Sequence, residues 1–254
     1  QLPGAAAADA PATVPWRIQR RIPLTGVRGA VARRLRESLS TAVPLTLTRE
    51  VRADALVAAR ERLRARLGAA PWDAIFVKLF ADALREHPAL NAIVAGDEVL
   101  VLDDVHVGFA VPVDDGLLVP VVHDADRRPL AEVAAAVREL GERARAGKAS
   151  PGDLLGGTAT VSNLGAHGVD AFTPLLNPPQ SVVLGVGRIG ARAVVEEGGL
   201  IAASTCVLSL TFDHRVADGA PAAQLLGAVA ARMDDAGYLE ALVADAPAGT
   251  TVPS

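Results

Sequence analysis

Residues 191–196 and 200–212 are two β-branched, alternating runs joined by Glu197-Gly198-Gly199, a signature of an antiparallel hairpin. A hairpin excludes an all-parallel sheet. Further strand-like stretches lie at 45–51, 98–113, 117–122, 158–162 and 181–186, and helical periodicity lies at 26–40, 53–67, 72–87, 129–147 and 220–235. Strands do not alternate strictly with helices. The expected fold is therefore α/β of the α+β type, a mixed sheet flanked by helices, and not a doubly wound parallel sheet. In 26–40, Val27, Val31, Leu35 and Leu39 recur at spacing four opposite an arginine-rich face. Pro88 biases His87 away from helical geometry, and Pro129 opens the next helix where its missing N–H is not needed.

Composition narrows the class. The 254 residues suit one or two domains and carry 25 basic against 29 acidic side chains, a net charge of −4 with arginines interleaved among acids. No cationic field for nucleic acid results. Half the residues are hydrophobic, enough for one large core. Every apolar run is broken well short of the ~20 residues of a membrane-spanning helix, so no membrane partner is expected. Residues 1–15 (QLPGAAAADAPATVP) lack the basic start and apolar stretch of a secretory signal and read as an Ala/Pro linker. Residues 16–245 are the expected folded domain and 246–254 a small-residue tail. The single cysteine, Cys206, excludes an internal disulfide and a multi-cysteine metal site, and suits a cytoplasmic protein.

Gly185-Val186-Gly187-Arg188-Ile189-Gly190 spells the dinucleotide fingerprint, but a phosphate site needs a helix next and 191–196 is β-branched. A glycine-punctuated strand is expected there. The histidines at 87, 106, 123, 167 and 214 offer no pair at ligand spacing, so no metal is expected. His87 falls near a helix end, His106 in a strand, His123 at a strand exit and His167 in a glycine-flanked loop. Cys206 reads as a small buried hydrophobe. His214 differs in setting, because an apolar strand ends in Asp213-His214-Arg215 and Asp218-Gly219 then opens a helix. Such turns display reacting groups. An imidazole, with an unperturbed pKa of about 6.5, takes and returns a proton near neutrality. Asp218, four residues on, is placed to brace the loop; a capped strand end with a surface ion pair is the alternative. In 156–165 (GGTATVSNLG), Ser162 and Asn163 end a β-run as donors suited to an oxyanion, or satisfy their own turn. A Ser162–His214 hydrolase lacks the G-x-S-x-G elbow.

Together these pieces resemble the catalytic domain of the dihydrolipoamide acyltransferases, core components of 2-oxo acid dehydrogenase complexes. The run from Asp213 to Gly219 (DHRVADG) is similar to that family's D-H-R-x-x-D-G signature, and 156–165, 172–180 (FTPLLNPPQ) and 183–187 to its second block. Weaker similarity at 28–32, 84–91 and 116–120 extends the resemblance over roughly residues 20 to 240. It implies a fold like chloramphenicol acetyltransferase and a homotrimer, with active sites between subunits and trimers that build larger cores. Coenzyme A and the lipoamide arm would enter each site from opposite sides as substrates, with no metal.

On that resemblance His214 is the general base on the attacking thiol, and Ser162 of the neighbouring subunit holds the oxyanion. Asp218 fixes the loop by pairing with an arginine such as Arg28, and Arg60, Ser162 and Asn163 contact coenzyme A; for Arg60 a solvated helix face is the other reading. A thiol is mostly protonated at pH 7 and the thiolate is the nucleophile, so such a reaction requires a base. Implied partners are a lipoyl domain and the 2-oxo acid dehydrogenase and dihydrolipoamide dehydrogenase components. The wording of 162–165 and 172–180 is closer to acetyl-type than to succinyl-type relatives, so acetyl is the expected acyl group. Succinyl or branched-chain transfer and a non-catalytic trimeric scaffold are the alternatives. The chain departs from the pattern at Leu45, where many relatives carry histidine after the proline. Neither Lys78 nor Lys148 sits in the Asp-Lys-Ala turn of a lipoyl domain, which is expected on another segment or protein.

Overall fold

The computed structural model describes residues 17–114 and 116–246; the expected linker, and the expected tail from 247 on, lie outside the described residues. In chain order the elements are α1 (Gly26–Thr41), β1 (Pro44–Arg52), α2 (Asp54–Leu67), α3 (Trp72–Glu86), β2 (Ala92–Ala95), β3 (Glu98–Val101), β4 (Val107–Phe109), β5 (Val111–Val113), β6 (Gly116–Leu118) and β7 (Val121–Val122). There follow α4 (Leu130–Arg145), α5 (Pro151–Leu154), β8 (Ala159–Asn163), β9 (Val182–Val186), β10 (Gly190–Glu196), β11 (Gly199–Asp213), α6 (Gly219–Asp234) and α7 (Ala236–Ala244).

The long strand β11 organises the central sheet. One of its edges pairs antiparallel with β1 from Thr205 to Asp213, and the other takes β10 up to Thr205 and then β9 from Leu208 to Phe212. From β9 the sheet continues parallel through β8 to β4, and β7 closes it antiparallel. The sheet is mixed, as expected. The β10–β11 turn has positive φ at both central residues, 49° at Glu197 and 80° at Gly198, the hand that matches strand twist.

Alternation divides the sheet into two faces. Val161, Leu184, Leu208, Leu210 and Phe212 are buried on one face. Helix α3 packs on β4 and β8 and against α4 and α6. Its middle, residues 74–81, is buried all round, with Phe76, Phe80 and Leu84 fully enclosed. The one buried cation of α3, Lys78, donates to the Asp126 carbonyl at 2.8 Å and pairs with Asp82 at 2.8 Å. The other face carries hydroxyls, since the register aligns Thr46 with Thr211, Thr48 with Ser209, and Ser162 with Gly185. Phe172 and Pro174 stand over Gly185 on that face. Helix α1 is tied to the same loop, Ser38 Oγ donating to the Leu176 carbonyl at 2.8 Å and Arg34 to that of Pro178 at 2.7 Å.

Several expectations change. The stretch 98–113 is not one strand: Asn91 Nδ2 donates to the carbonyls of Leu102 and Asp104 at 2.9 and 2.8 Å, bending the chain between β3 and β4. Leu39 of the α1 stripe is 57% exposed because α1 lies at the periphery of the single chain. Ala246, expected to begin the tail, is buried in the core.

Candidate active site

His214 stands just beyond the end of β11, and its backbone is fixed from both sides. Its N–H donates to the Val43 carbonyl at 2.8 Å, and that of Asp213 to the Ser181 carbonyl at 2.8 Å. The Asp213 carboxylate, only 4% exposed, accepts from Arg215 Nη2 at 2.6 Å, from Arg215 Nε, and from the N–H groups of Arg215 and Val43. Burial opposes its charge, and these donors outweigh burial, holding the carboxyl below the usual aspartate range. Asp213 and Arg215 are thus a clamp on the turn.

The His214 side chain is 42% exposed, and its ring centre lies 5.9 Å from that of Phe212. Its Nδ1 is 3.8 Å from Asp218 Oδ1, close enough for Coulombic attraction but too long for a hydrogen bond. Asp218 occupies the N-cap position of α6 and makes no side-chain cap bond. The suggested pairing with Arg28 is not made within one chain: among the described residues the His214 ring is the group within 4 Å of the Asp218 carboxylate.

Ser162 lies elsewhere. On the sheet it is level with Gly185 and Ser209, whereas His214 is five residues further along β11 and two strands away. At ~3.4 Å per residue and ~4.8 Å per strand, the two lie about 20 Å apart. Within one chain they cannot touch the same atom. Among the described residues the Ser162 hydroxyl makes no hydrogen bond, but Asn163 is already engaged, its Nδ2 donating to Asp73 at 2.9 Å and its Oδ1 accepting from the Gly165 N–H at 3.0 Å. Burial pushes the Asp73 carboxyl above the usual range, with the Asn163 bond opposing. Next to Asp73, Trp72 lies under the Arg60 guanidinium, 4.6 Å from Cζ to ring centre, and Arg60 Nε donates to the Ala70 carbonyl at 2.9 Å. Arg60 and Asn163 therefore share one neighbourhood on the α3 side of the sheet and are partly spent on holding it together, whereas Ser162, the preceding residue in β8, faces the other side. Sequence reasoning missed Asp73 and Trp72, which carry no motif, and Val43, which acts through its backbone.

Ser162 opens onto a cavity of about 520 Å³ between α1, the β5–β6 hairpin, the 172–177 loop and the hydroxyl face of the sheet. Leu35, Leu118, Val119, Phe172 and Leu176 line it, and Arg34 is its one charged wall residue among the described residues. The fingerprint at 185–190 runs strand to strand. A Cβ on Gly187 would lie 1.9 Å from the Asp170 carbonyl oxygen, so that glycine answers to close backbone approach. His106 and His123 stack edge-on at 4.6 Å, and Asp104, His106 and Asp124 bring ligand atoms within 4.8 Å of one another. His106 Nδ1 already accepts from the Asp124 N–H at 3.0 Å, which spends its lone pair.

The model of the family described as 2-oxoacid dehydrogenases acyltransferase (catalytic domain) matches residues 17–240. The chain belongs to that family. Among its relatives, the dihydrolipoyllysine-residue acetyltransferase component of the acetoin cleaving system of Bacillus subtilis is 37% identical over 84% of this chain and 55% of its own length. The dihydrolipoyllysine-residue succinyltransferase component of the 2-oxoglutarate dehydrogenase complex of Bartonella vinsonii subsp. berkhoffii is 37% identical over 85% and 54%. The chain thus spans about half the length of these curated relatives. A solved structure of Azotobacter vinelandii dihydrolipoamide acetyltransferase superposes with a TM-score of 0.83 at 30% identity, covering 87% of this chain and 93% of that one. The mixed sheet is the family's fold.

Proposed function

We propose that the chain transfers an acyl group between a dihydrolipoyl thiol and coenzyme A, in sites shared between copies of itself in a ring such as a trimer. The observation that carries the reading is the half-exposed imidazole of His214 on a fixed backbone with Nδ1 turned to Asp218, about 20 Å along the sheet from a serine hydroxyl that has no partner among the described residues and lies beside a mostly apolar cavity. The Azotobacter vinelandii enzyme was studied for the roles of a serine, a histidine and an asparagine in its catalytic mechanism. The separations of those three, 52 and 4 residues, equal those from Ser162 to His214 and from His214 to Asp218, with a carboxylate here where that enzyme has a carboxamide.

With Nδ1 turned to Asp218, Nε2 of His214 takes the proton of the coenzyme A thiol as sulfur attacks the acyl carbon of S-acyl-dihydrolipoamide. The carbonyl oxygen becomes an oxyanion, and the hydroxyl of Ser162 from a neighbouring copy donates to it. Collapse breaks the carbon–sulfur bond, and the departing thiolate recovers the proton from the imidazolium. Base catalysis contributes about 10²–10⁴, and one oxyanion donor about 10²–10³ in kcat. Arg60, stacked on Trp72, is our candidate cation for the coenzyme A phosphates, and acetyl is the acyl group that the 162–165 and 172–180 wording favours. A lipoyl domain and the two dehydrogenase components are the partners this reaction calls for. Coenzyme A release from acetyl-CoA and dihydrolipoamide tests the reading: His214→Ala is expected to lower it at least about 100-fold, and a loss within threefold overturns the assignment.

A further inference from the structure

Accepting the acyl-transfer reading but replacing its acetyl preference, we infer that the cavity beside Ser162 is an acyl pocket for uncharged, apolar acyl groups larger than acetyl, with Phe172 setting the chain length it admits. An oxyanion held by Ser162 places the acyl carbon within hydrogen-bond reach of that hydroxyl, so the rest of the acyl group must extend into whatever adjoins it. What adjoins it is apolar. Gly185 lies directly opposite Ser162 in the β8–β9 ladder, and a Cβ built on Gly185 would be 3.1 Å from Phe172 Cζ and 3.2 Å from Pro174 Cγ. The Phe172 ring therefore stands over the glycine facing the reacting carbonyl. Val119 closes the side toward Gly108, where a Cβ would meet its Cγ1 at 2.7 Å.

The space, about 520 Å³, far exceeds a methyl group. A succinyl carboxylate would need a cation at its end. Arg34 is the charged wall residue among the described residues, and it spends Nε and Nη2 on the Pro178 carbonyl at 3.2 and 2.7 Å. A branched four- or five-carbon group fills apolar space with no charge to desolvate.

Initial rates with dihydrolipoamide and acetyl-, isobutyryl-, hexanoyl- and succinyl-CoA test this directly on the purified protein. Isobutyryl-CoA is expected to exceed succinyl-CoA by about tenfold or more in kcat/KM, since the succinyl carboxylate would lose its water with no cation free to pair it. Phe172→Ala, and Phe172→Leu if alanine impairs folding, is expected to raise the hexanoyl-to-isobutyryl ratio about tenfold while leaving KM for dihydrolipoamide within threefold. A succinyl preference overturns the acyl-pocket assignment alone, as does an equal loss for all four thioesters, because the cavity would then hold the thiol arm common to every reaction. No transfer from any donor by the unmutated protein instead overturns the acyltransferase reading, and this inference with it.

Discussion

Two individually crippled variants, His214→Ala and Ser162→Ala, should restore each other when assembled together. The separation motivates it: five residues along β11 and two strands across put the imidazole and hydroxyl about 20 Å apart in one chain, so on the proposed mechanism each working site would draw its histidine from one copy and its serine from the next. Alone, the histidine variant should retain about 10⁻² to 10⁻⁴ of the rate, and the serine variant about 10⁻² to 10⁻³. In a ring assembled at random from equal amounts of both, a site is intact when a His214-bearing copy precedes a Ser162-bearing one, which holds for about one site in four. Co-expression from two tags and purification through both remove rings of a single variant and leave mixed trimers with about one intact site in three, so coenzyme A release should reach about a third of the unmutated rate. Recovery confined to the level of the better single variant would refute the shared site.

The Asp213 clamp makes a pH prediction. The Asp213 carboxyl is depressed in the folded chain, so its contribution is present above the unfolded value of about 3.9 and is lost as pH falls through the folded one. Arg215→Ala should cost about 2–3 kcal/mol in urea melts at pH 7, less than for a fully buried pair because Arg215 is 40% exposed, with the deficit shrinking below pH 4. Burial pushes the Cys206 thiol up to about 11, so the native protein should resist a maleimide at pH 8 and react once unfolded; stability should decline as pH rises from about 8.5 toward that value. Gly187→Ala should destabilise by about 3 kcal/mol or more, because the added carbon meets the Asp170 carbonyl and not a flexible side chain. Calorimetry showing an unaltered melt would contradict that.

The hairpin at 197–199 was legible because its chemistry is local, and so were the five long helices, whose limits follow from periodicity and proline. The break of 98–113 was not, since it depends on Asn91, whose amide reaches carbonyls 11 and 13 residues away. The same distinction holds at the site. His214 and Ser162 announce themselves through motifs, whereas Asp73 holding Asn163, and Val43 holding both His214 and Asp213, are long-range partners with ordinary neighbours in the chain. Leu39 belongs to a stripe of helical period, yet a single chain does not cover it, because periodicity reports which side is apolar and not what lies against it.

Placing imidazole and hydroxyl at remote points of one polypeptide makes catalysis a collective property. On the proposed mechanism a freshly translated copy would hold two half-sites and be chemically mute, unable to squander activated thioesters before its neighbours arrive. Dilution toward the dissociation threshold should likewise quench turnover more steeply than it lowers protein concentration, tying the reaction to assembly with no regulator beyond the fold.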